Sequence, residues 1–201
     1  MSKTYKLIPV TELDKSVQLQ LLNIRNEEHI RQWMFTGKII SVDEHLSWIK
    51  HLKTDLDQIC FVIIDDDGCP YGSVNLKKIN KNHKTAELGF YKTETLNEKG
   101  LVTRCLKALI DYSFDVIGLE KLYSEVFEGN VKSVNIHEKL FFCKEGFLRS
   151  HIIKKENRIG IYLFGLLKHE WRNQKNNIVN DVIQIQEKTL CDIGGRIIND
   201  V

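Results

Sequence analysis

Apolar and polar positions along this chain follow two periods, and the places where the period changes separate the elements. Residues 6–10 are short and apolar and read as a strand. Behind them Val17, Leu21, Leu22 and Ile24 recur at helical spacing and stop near Arg25-Asn26. Ser41-Val42-Asp43-Glu44 has the S-x-x-E form, in which the serine hydroxyl and the glutamate satisfy each other's free backbone N–H groups, so it predicts the start of a second helix. Leu46, Ile49, Leu52 and Leu56 form its apolar face. Ile59–Asp65 drops the helical period and reads as a buried strand, Asp66-Asp67-Gly68 as a turn, and residues 71–79 as the returning strand. The polar turn 80–84 leads into a third antiparallel strand, Thr85–Lys92.

After residues 97–100, Val102, Cys105, Leu106, Leu109, Tyr112 and Ser113 outline a central amphipathic helix. Lys121–Phe127 is a strand, Asn130 caps a shorter helix through Leu140, and residues 143–155 and 158–168 make a final hairpin around Glu156-Asn157. The expected order is β-αα-βββ-α-β-α-ββ, an α+β chain. With two prolines and no Gly/Ser-rich linker, the chain reads as one domain over residues 1–170. Residues 171–201 form an extension in which Ile178, Val182, Ile185 and Leu190 sketch a helix interrupted at Gly194-Gly195.

Charge narrows the function. Lys plus Arg number 29 against 27 for Asp plus Glu, so no positive field steers the chain of 201 residues onto nucleic acid or an anionic membrane. The longest apolar run, residues 59–64, is far below the roughly 20 residues of a membrane span. The start of the chain lacks an apolar leader, which points to the cytoplasm. Five cysteines without a C-x-x-C pair or a His cluster argue against disulfides and a metal site, and Cys60 and Cys105 fall in apolar patterns as small core residues.

The loop at 97–100 running into a helix is a candidate anion site, because first-turn N–H groups lack internal acceptors. Neither G-x-x-x-x-G-K-[ST] nor G-x-G-x-x-G occurs, which removes P-loop hydrolysis and Rossmann dinucleotide binding. Glu87-Leu88-Gly89-Phe90-Tyr91, the loop to Gly100, the helix behind it, and Asn130-x-x-Ser133-x-x-x-His137-Glu138-Lys139 ahead of Gly146-Phe147 together resemble the GNAT acyl-CoA N-acyltransferase superfamily, over about residues 4–170. The resemblance implies a layered α/β/α fold with a mixed, mostly antiparallel seven-stranded sheet flanked by helices. It implies acetyl-CoA as co-substrate, with no metal, lying where strand four diverges from strand five.

By that resemblance the pantetheine arm pairs with the backbone of Leu88, Gly89, Phe90 and Tyr91, and the pyrophosphate sits on Gly100, Val102 and Thr103. Of the Q/R-x-x-G-x-G/A loop of the superfamily, only the central glycine, Gly100, is matched. Asn130 takes the place of an asparagine that contacts pantetheine, and Lys139 is placed to approach CoA phosphates. His137 stands where many members have the tyrosine that protonates the departing thiolate, so it is the expected acid. Glu87 is the candidate that takes the proton of the amine, with Asn75 and His83 on the adjoining strand and turn as binding or relay groups.

The run Arg25-Asn26-x(6)-Trp33-Met34-Phe35, followed by Ile40-Ser41 and His45-Leu46, is similar to the N-acetyltransferases of pseudaminic acid biosynthesis. These act on the 4-amino group of UDP-4-amino-4,6-dideoxy-N-acetyl-β-L-altrosamine. The likeness implies a UDP-amino-sugar acceptor, with Arg25 and His45 toward the diphosphate or sugar and Met34, Phe35 and Trp48 around the base. A peptide or ribosomal-protein acceptor and a non-catalytic acetyl-CoA-binding module stay open as alternatives, and so does a homodimer.

Overall fold

The computed structural model describes residues 3–96, 98–178, 183–186, 190–191 and 197–198. Strand β1 (Tyr5–Pro9) leads through a short 3-10 turn to helix α1 (Lys15–Arg25), the single turn α2 (Glu28–Arg31) and helix α3 (Val42–Leu52). The meander β2 (Ile59–Asp65), β3 (Pro70–Asn80) and β4 (Thr85–Lys92) precedes α4 (Leu101–Asp111). Then come β5 (Lys121–Phe127), α5 (Val131–Lys139), the hairpin β6 (Cys143–Lys154) and β7 (Asn157–Leu167), and α6 (Lys168–Gln174). The expected order holds, with the single turn α2 and the closing helix α6 added.

All pairings in the main sheet are antiparallel except β4 with β5 and β1 with the short β8 (Gln184–Ile185), and the spatial order is β6-β7-β5-β4-β3-β2-β1-β8. The sheet therefore has eight strands rather than the seven expected. The eighth comes from the extension in which a helix was expected. Gln184 and Ile185 line up in parallel with Lys6 and Leu7, and Gln186 N–H donates to Leu7 C=O at 2.9 Å. The free backbone groups of an edge strand outcompete the weak helical period there. Leu190–Cys191 pairs with Ile197–Ile198 as a separate ribbon, and Val182 and Gly194-Gly195 lie outside the described residues.

Helices cover both faces, so β2 is apolar at nearly every position rather than alternating. Phe61 and Ile63 of β2, Val74 and Leu76 of β3, Leu88 of β4 and Leu122 and Val126 of β5 pack with Leu106 and Leu109 of α4. Cys60, Val62 and Ile64 point the other way, onto Leu21 of α1 and Ile49 and Leu52 of α3. Cys60 and Cys105 are buried, as their patterns required. At the head of α3 the capping box is complete: Glu44 N–H donates to Ser41 Oγ, and Ser41 N–H donates to Glu44 Oε2. Among the described residues, no helix is long and apolar enough to cross a membrane.

Candidate functional site

Strands β4 and β5 pair over three residues only, Thr85–Glu87 against Lys121–Tyr123. Beyond Glu87, β4 stays with β3 up to Lys92 while β5 stays with β7 up to Phe127. The two parallel strands thus open into a cleft whose apex is pinned where Ser124 Oγ donates to Leu88 C=O at 2.8 Å. Successive residues of a strand turn their backbone groups to opposite edges. Leu88 and Phe90 therefore face the cleft. Gly89 and Tyr91 face β3, as does Thr93, whose N–H donates to Tyr71 C=O. Only two of the four backbone positions expected to meet pantetheine border the cleft.

The mouth of the cleft leads to α4. Gly100, with φ +81°, occupies the left-handed region as N-cap, and its carbonyl accepts from Arg104 N–H. This leaves the N–H groups of Leu101, Val102 and Thr103 without helical acceptors, a cradle suited to a diphosphate. Asn97 lies outside the described residues. Lys92 ends β4, and burial followed by the nearby Lys132 charge lowers its pKa, which marks a cationic rim. Asn130 Oδ1 caps α5 by accepting from Ser133 N–H at 3.2 Å, so that atom is committed to the helix. Lys139 is exposed at the end of α5.

His137 is 2% exposed and hangs from α5 among Phe90, Phe142 and Phe164. Its Nδ1 lies 2.8 Å from Ser133 C=O, and a carbonyl can only accept, so Nδ1 carries the proton and Nε2 the lone pair. Burial pushes the imidazolium pKa down to about 4. The expected acid role therefore fails in the resting protein, because the nitrogen not tied to the helix holds no proton.

The opposite face of the sheet carries a second set of polar groups. Leu122, Ser124 and Val126 are buried on the α4 side, so Tyr123, Glu125 and Phe127 face the α1 side. Glu87 shares that face at the last paired position. A β-bulge beyond Lys77 brings Lys78 Nζ to 2.8 Å from Glu87 Oε2, which ion-pairs the carboxylate that was the candidate base. Asn75 is registered beside Gly89, and its Oδ1 is buried without a donor among the described residues. A Cβ at position 89 would lie 2.8 Å from that Oδ1, so a side chain there would displace the Asn75 amide. Continuing the β4–β5 register places Glu125 opposite Gly89, across the open part of the cleft. Beside the apex a cavity of about 280 Å³ is lined by Tyr123, Lys121, Glu145 and Leu163, among others.

Arg25 ends α1 beside this face. Its Nη1 is buried and has no hydrogen-bond acceptor among the described residues, and burial is the main cause that lowers the guanidinium pKa. Lys154, from the end of β6, donates to Gln32 C=O at 3.1 Å and also to Met34 C=O. Its pKa is lowered by burial and then by Arg25. Phe35 is 54% exposed and packs edge-on against Phe127 at 4.9 Å. Arg25, Met34 and Phe35, expected to act together, thus lie on one rim with Lys154.

Three other expected site residues do not join them. His45 is buried between α3 and α1 with Nε2 2.9 Å from Gln18 C=O, about 10 Å along α1 from Arg25. Trp48 packs on His45 and the second core cluster. His83 is exposed in the β3–β4 turn, at the far end of β4, about 20 Å along the strand from the cleft mouth. Glu125, Ser124 and Lys154 were missed. Alternation within β5 places Glu125 on the face of Glu87 once the parallel register is known. Nothing local in the sequence marks Lys154.

A family model described as Acetyltransferase (GNAT) domain matches residues 6–142. Spermidine N(1)-acetyltransferase of Escherichia coli (strain K12) is 35% identical over 143 residues, 71% of this chain and 75% of the relative. Acetyltransferase PseH of Campylobacter jejuni subsp. jejuni serotype O:23/36 (strain 81-176) is 28% identical over 137 residues, 68% of this chain and 83% of the relative. Among solved structures, spermidine N-acetyltransferase from Vibrio cholerae in complex with CoA and spermine gives a TM-score of 0.76 at 24% identity. That match covers 85% of this chain and 98% of the other, and it speaks to the fold.

Proposed function

The chain belongs to the GNAT acetyltransferase family, and from this premise we propose that it acetylates the 4-amino group of a UDP-amino-sugar in pseudaminic acid biosynthesis. It is an acetyl-CoA-dependent N-acetyltransferase. The acceptor assignment rests chiefly on the unmatched Nη1 of Arg25. A buried donor left without an acceptor costs about 1–3 kcal/mol, and a diphosphate oxygen removes that cost. Lys154 adds a second cation and Phe35 a flat apolar surface for a base. The Trp33-Met34-Phe35 run and the likeness to the PseH relative support the same reading.

On this reading both substrates are held at once, on opposite faces of the cleft. When bound, acetyl-CoA supplies the activated acyl group. The α4 N–H groups and Gly100 hold its diphosphate, and the Phe90 N–H, turned into the cleft, polarises the acyl carbonyl. Glu125 holds the acceptor amine and takes the proton of the ammonium form, while Asn75 Oδ1 accepts a hydrogen bond from it. Val102 and Thr103 contribute backbone N–H groups rather than side chains, both being buried.

A polyamine acceptor is the second reading, favoured by the spermidine acetyltransferase relative and by the carboxylates of Glu87, Glu125 and Glu145 on the acceptor face. A polycation would meet Arg25 and Lys154 at the rim, which weighs against it. Calorimetric titration separates the two. UDP should bind the acetyl-CoA-loaded enzyme, and Arg25→Ala should weaken it about 10- to 100-fold, the share of one charged hydrogen bond. Saturable spermidine binding with no binding of UDP would overturn the sugar-nucleotide reading.

A further inference from the structure

Residues 26–40, between α1 and α3, form a loop that closes on itself. Asn26 Nδ2 donates to Ile40 C=O and Ile40 N–H donates to Asn26 Oδ1, both at 2.9 Å, while Arg31 Nη1 donates to Gly37 C=O at 2.7 Å. These bonds hold the ends and the middle of the loop together as one piece. It has one foot on each bank of the cleft. On the β4 bank, the buried Thr93 Oγ1 donates to Glu27 at 3.1 Å. His29 Nε2–H donates to Lys92 C=O at 3.2 Å, and its Nδ1 lies 3.3 Å from Glu27 Oε2. The alternation that turns Leu88 and Phe90 to the cleft turns Lys92 the same way, so His29 sits on the cleft-facing edge of β4. On the β5 bank, Lys154 donates to Gln32 and Met34 C=O while lying over the Phe127 ring, on which Phe35 also packs.

We propose that this loop is a clasp across the mouth of the cleft, and that Glu27, His29 and Thr93 are positioning residues through which acetyl-CoA and the acceptor each tighten the binding of the other. Strands β4 and β5 are paired over three residues and bonded once more at Ser124, so beyond that apex the separation of the banks responds to what bridges them. Acetyl-CoA lying between the banks fixes their separation and with it both feet of the loop. The loop follows directly on Arg25 and carries Met34 and Phe35 of the same rim. An acceptor arriving at that rim then meets a loop already ordered, and the entropy lost on its binding is smaller. Linkage makes the effect reciprocal: the acceptor raises the affinity for acetyl-CoA by the same factor. The three residues act through the loop, without touching either substrate. The clasp requires acetyl-CoA-dependent N-acetyl transfer with the acceptor on the Arg25 rim, and it is independent of which amine that acceptor carries.

Hydrogen exchange of the full chain, read by mass spectrometry with saturating CoA as the sole ligand, tests the clasp without an acceptor. Amides of residues 26–40 should exchange about tenfold more slowly once CoA is bound. Thr93→Val, which matches threonine in shape but carries no hydroxyl, should abolish that slowing, and Thr93→Ser should restore it. A loop held merely for stability would lose protection equally with and without CoA. Calorimetry then titrates UDP and spermidine as probes, each with and without CoA. Whichever binds should bind about tenfold tighter to the CoA-loaded wild type, with a factor near one in Thr93→Val and recovery in Thr93→Ser. Glu27→Ala, at a partly exposed position, repeats both comparisons from the other side of the contact should valine at the buried site prevent folding. Loop exchange indifferent to CoA in the wild type, or a wild-type coupling factor in a folded Thr93→Val or Glu27→Ala, would overturn the clasp. If neither UDP nor spermidine binds, the acceptor reading fails and the exchange experiment decides the clasp alone.

Discussion

Replacing His137 by phenylalanine should remove a specific acid sensitivity from the folding free energy. The imidazole is held neutral in the native protein, with its pKa pushed down to about 4 by burial, against about 6.5 in an unfolded chain. Below pH 6.5 the unfolded state therefore binds more protons than the native state, and stability rises with pH across the window from about 4 to about 6.5. At pH 4.5 nearly every unfolded chain carries the imidazolium, while only about a quarter of native molecules do. The resulting loss between pH 7 and pH 4.5 is about 2.5 kcal/mol for this one group. Phenylalanine fills similar volume beside Phe90, Phe142 and Phe164 and carries no charge at either pH. Urea unfolding of wild type and variant at the two pH values measures the difference. Carboxylates that ionise more readily in the fold also lose stability in acid; Glu44, held down to about 2 by Lys38 and the Ser41 N–H, is one of them. They act alike in both proteins and cancel. If wild type and His137→Phe lose the same stability between pH 7 and 4.5, the ring is not buried neutral and the tautomer argument fails with it.

Three further outcomes follow from the geometry. Gly100→Ala meets open space but must adopt φ +81°, so it should cost about 1–2 kcal/mol in thermal unfolding and raise KM for acetyl-CoA severalfold; an unchanged KM would mean that the head of α4 does not hold the diphosphate. Ser124→Ala deprives the buried Leu88 carbonyl of its donor, with an expected loss of about 1–3 kcal/mol and weaker acetyl-CoA binding by calorimetry, whereas full stability would show that the apex is not pinned there. Ser41→Ala breaks the capping box at the head of α3 and should cost about 1 kcal/mol of stability while kcat stays at the wild-type value; a lost kcat would link α3 to the chemistry.

Much of the fold was legible because its signals are local. The serine and glutamate of the α3 capping box stand three residues apart, and the change from helical to strand period at Ile59 marks the meander. What escaped depends on pairs distant in sequence. Lys154 reaches the Arg25 rim only because the β6–β7 hairpin folds back over residues 32–34. Glu125 acquires its position from a parallel register that no turn specifies. The role of His137 hung on which nitrogen faces Ser133 C=O, a matter of ring orientation rather than residue type. His45 matched a sequence pattern, yet the Gln18 carbonyl holds it inside the α1–α3 contact. In the extension, the helical spacing at Ile185 lost to the open edge of β1.

The most direct test of the assignment is thiol release by the purified chain with acetyl-CoA and, separately, UDP-4-amino-4,6-dideoxy-N-acetyl-β-L-altrosamine or spermidine, each with and without added UDP. The sugar nucleotide should be turned over with UDP as a competitive inhibitor, and spermidine should react far more slowly. Efficient turnover of spermidine, indifferent to UDP, would contradict the sugar-nucleotide function and make the carboxylates of the acceptor face its specificity groups.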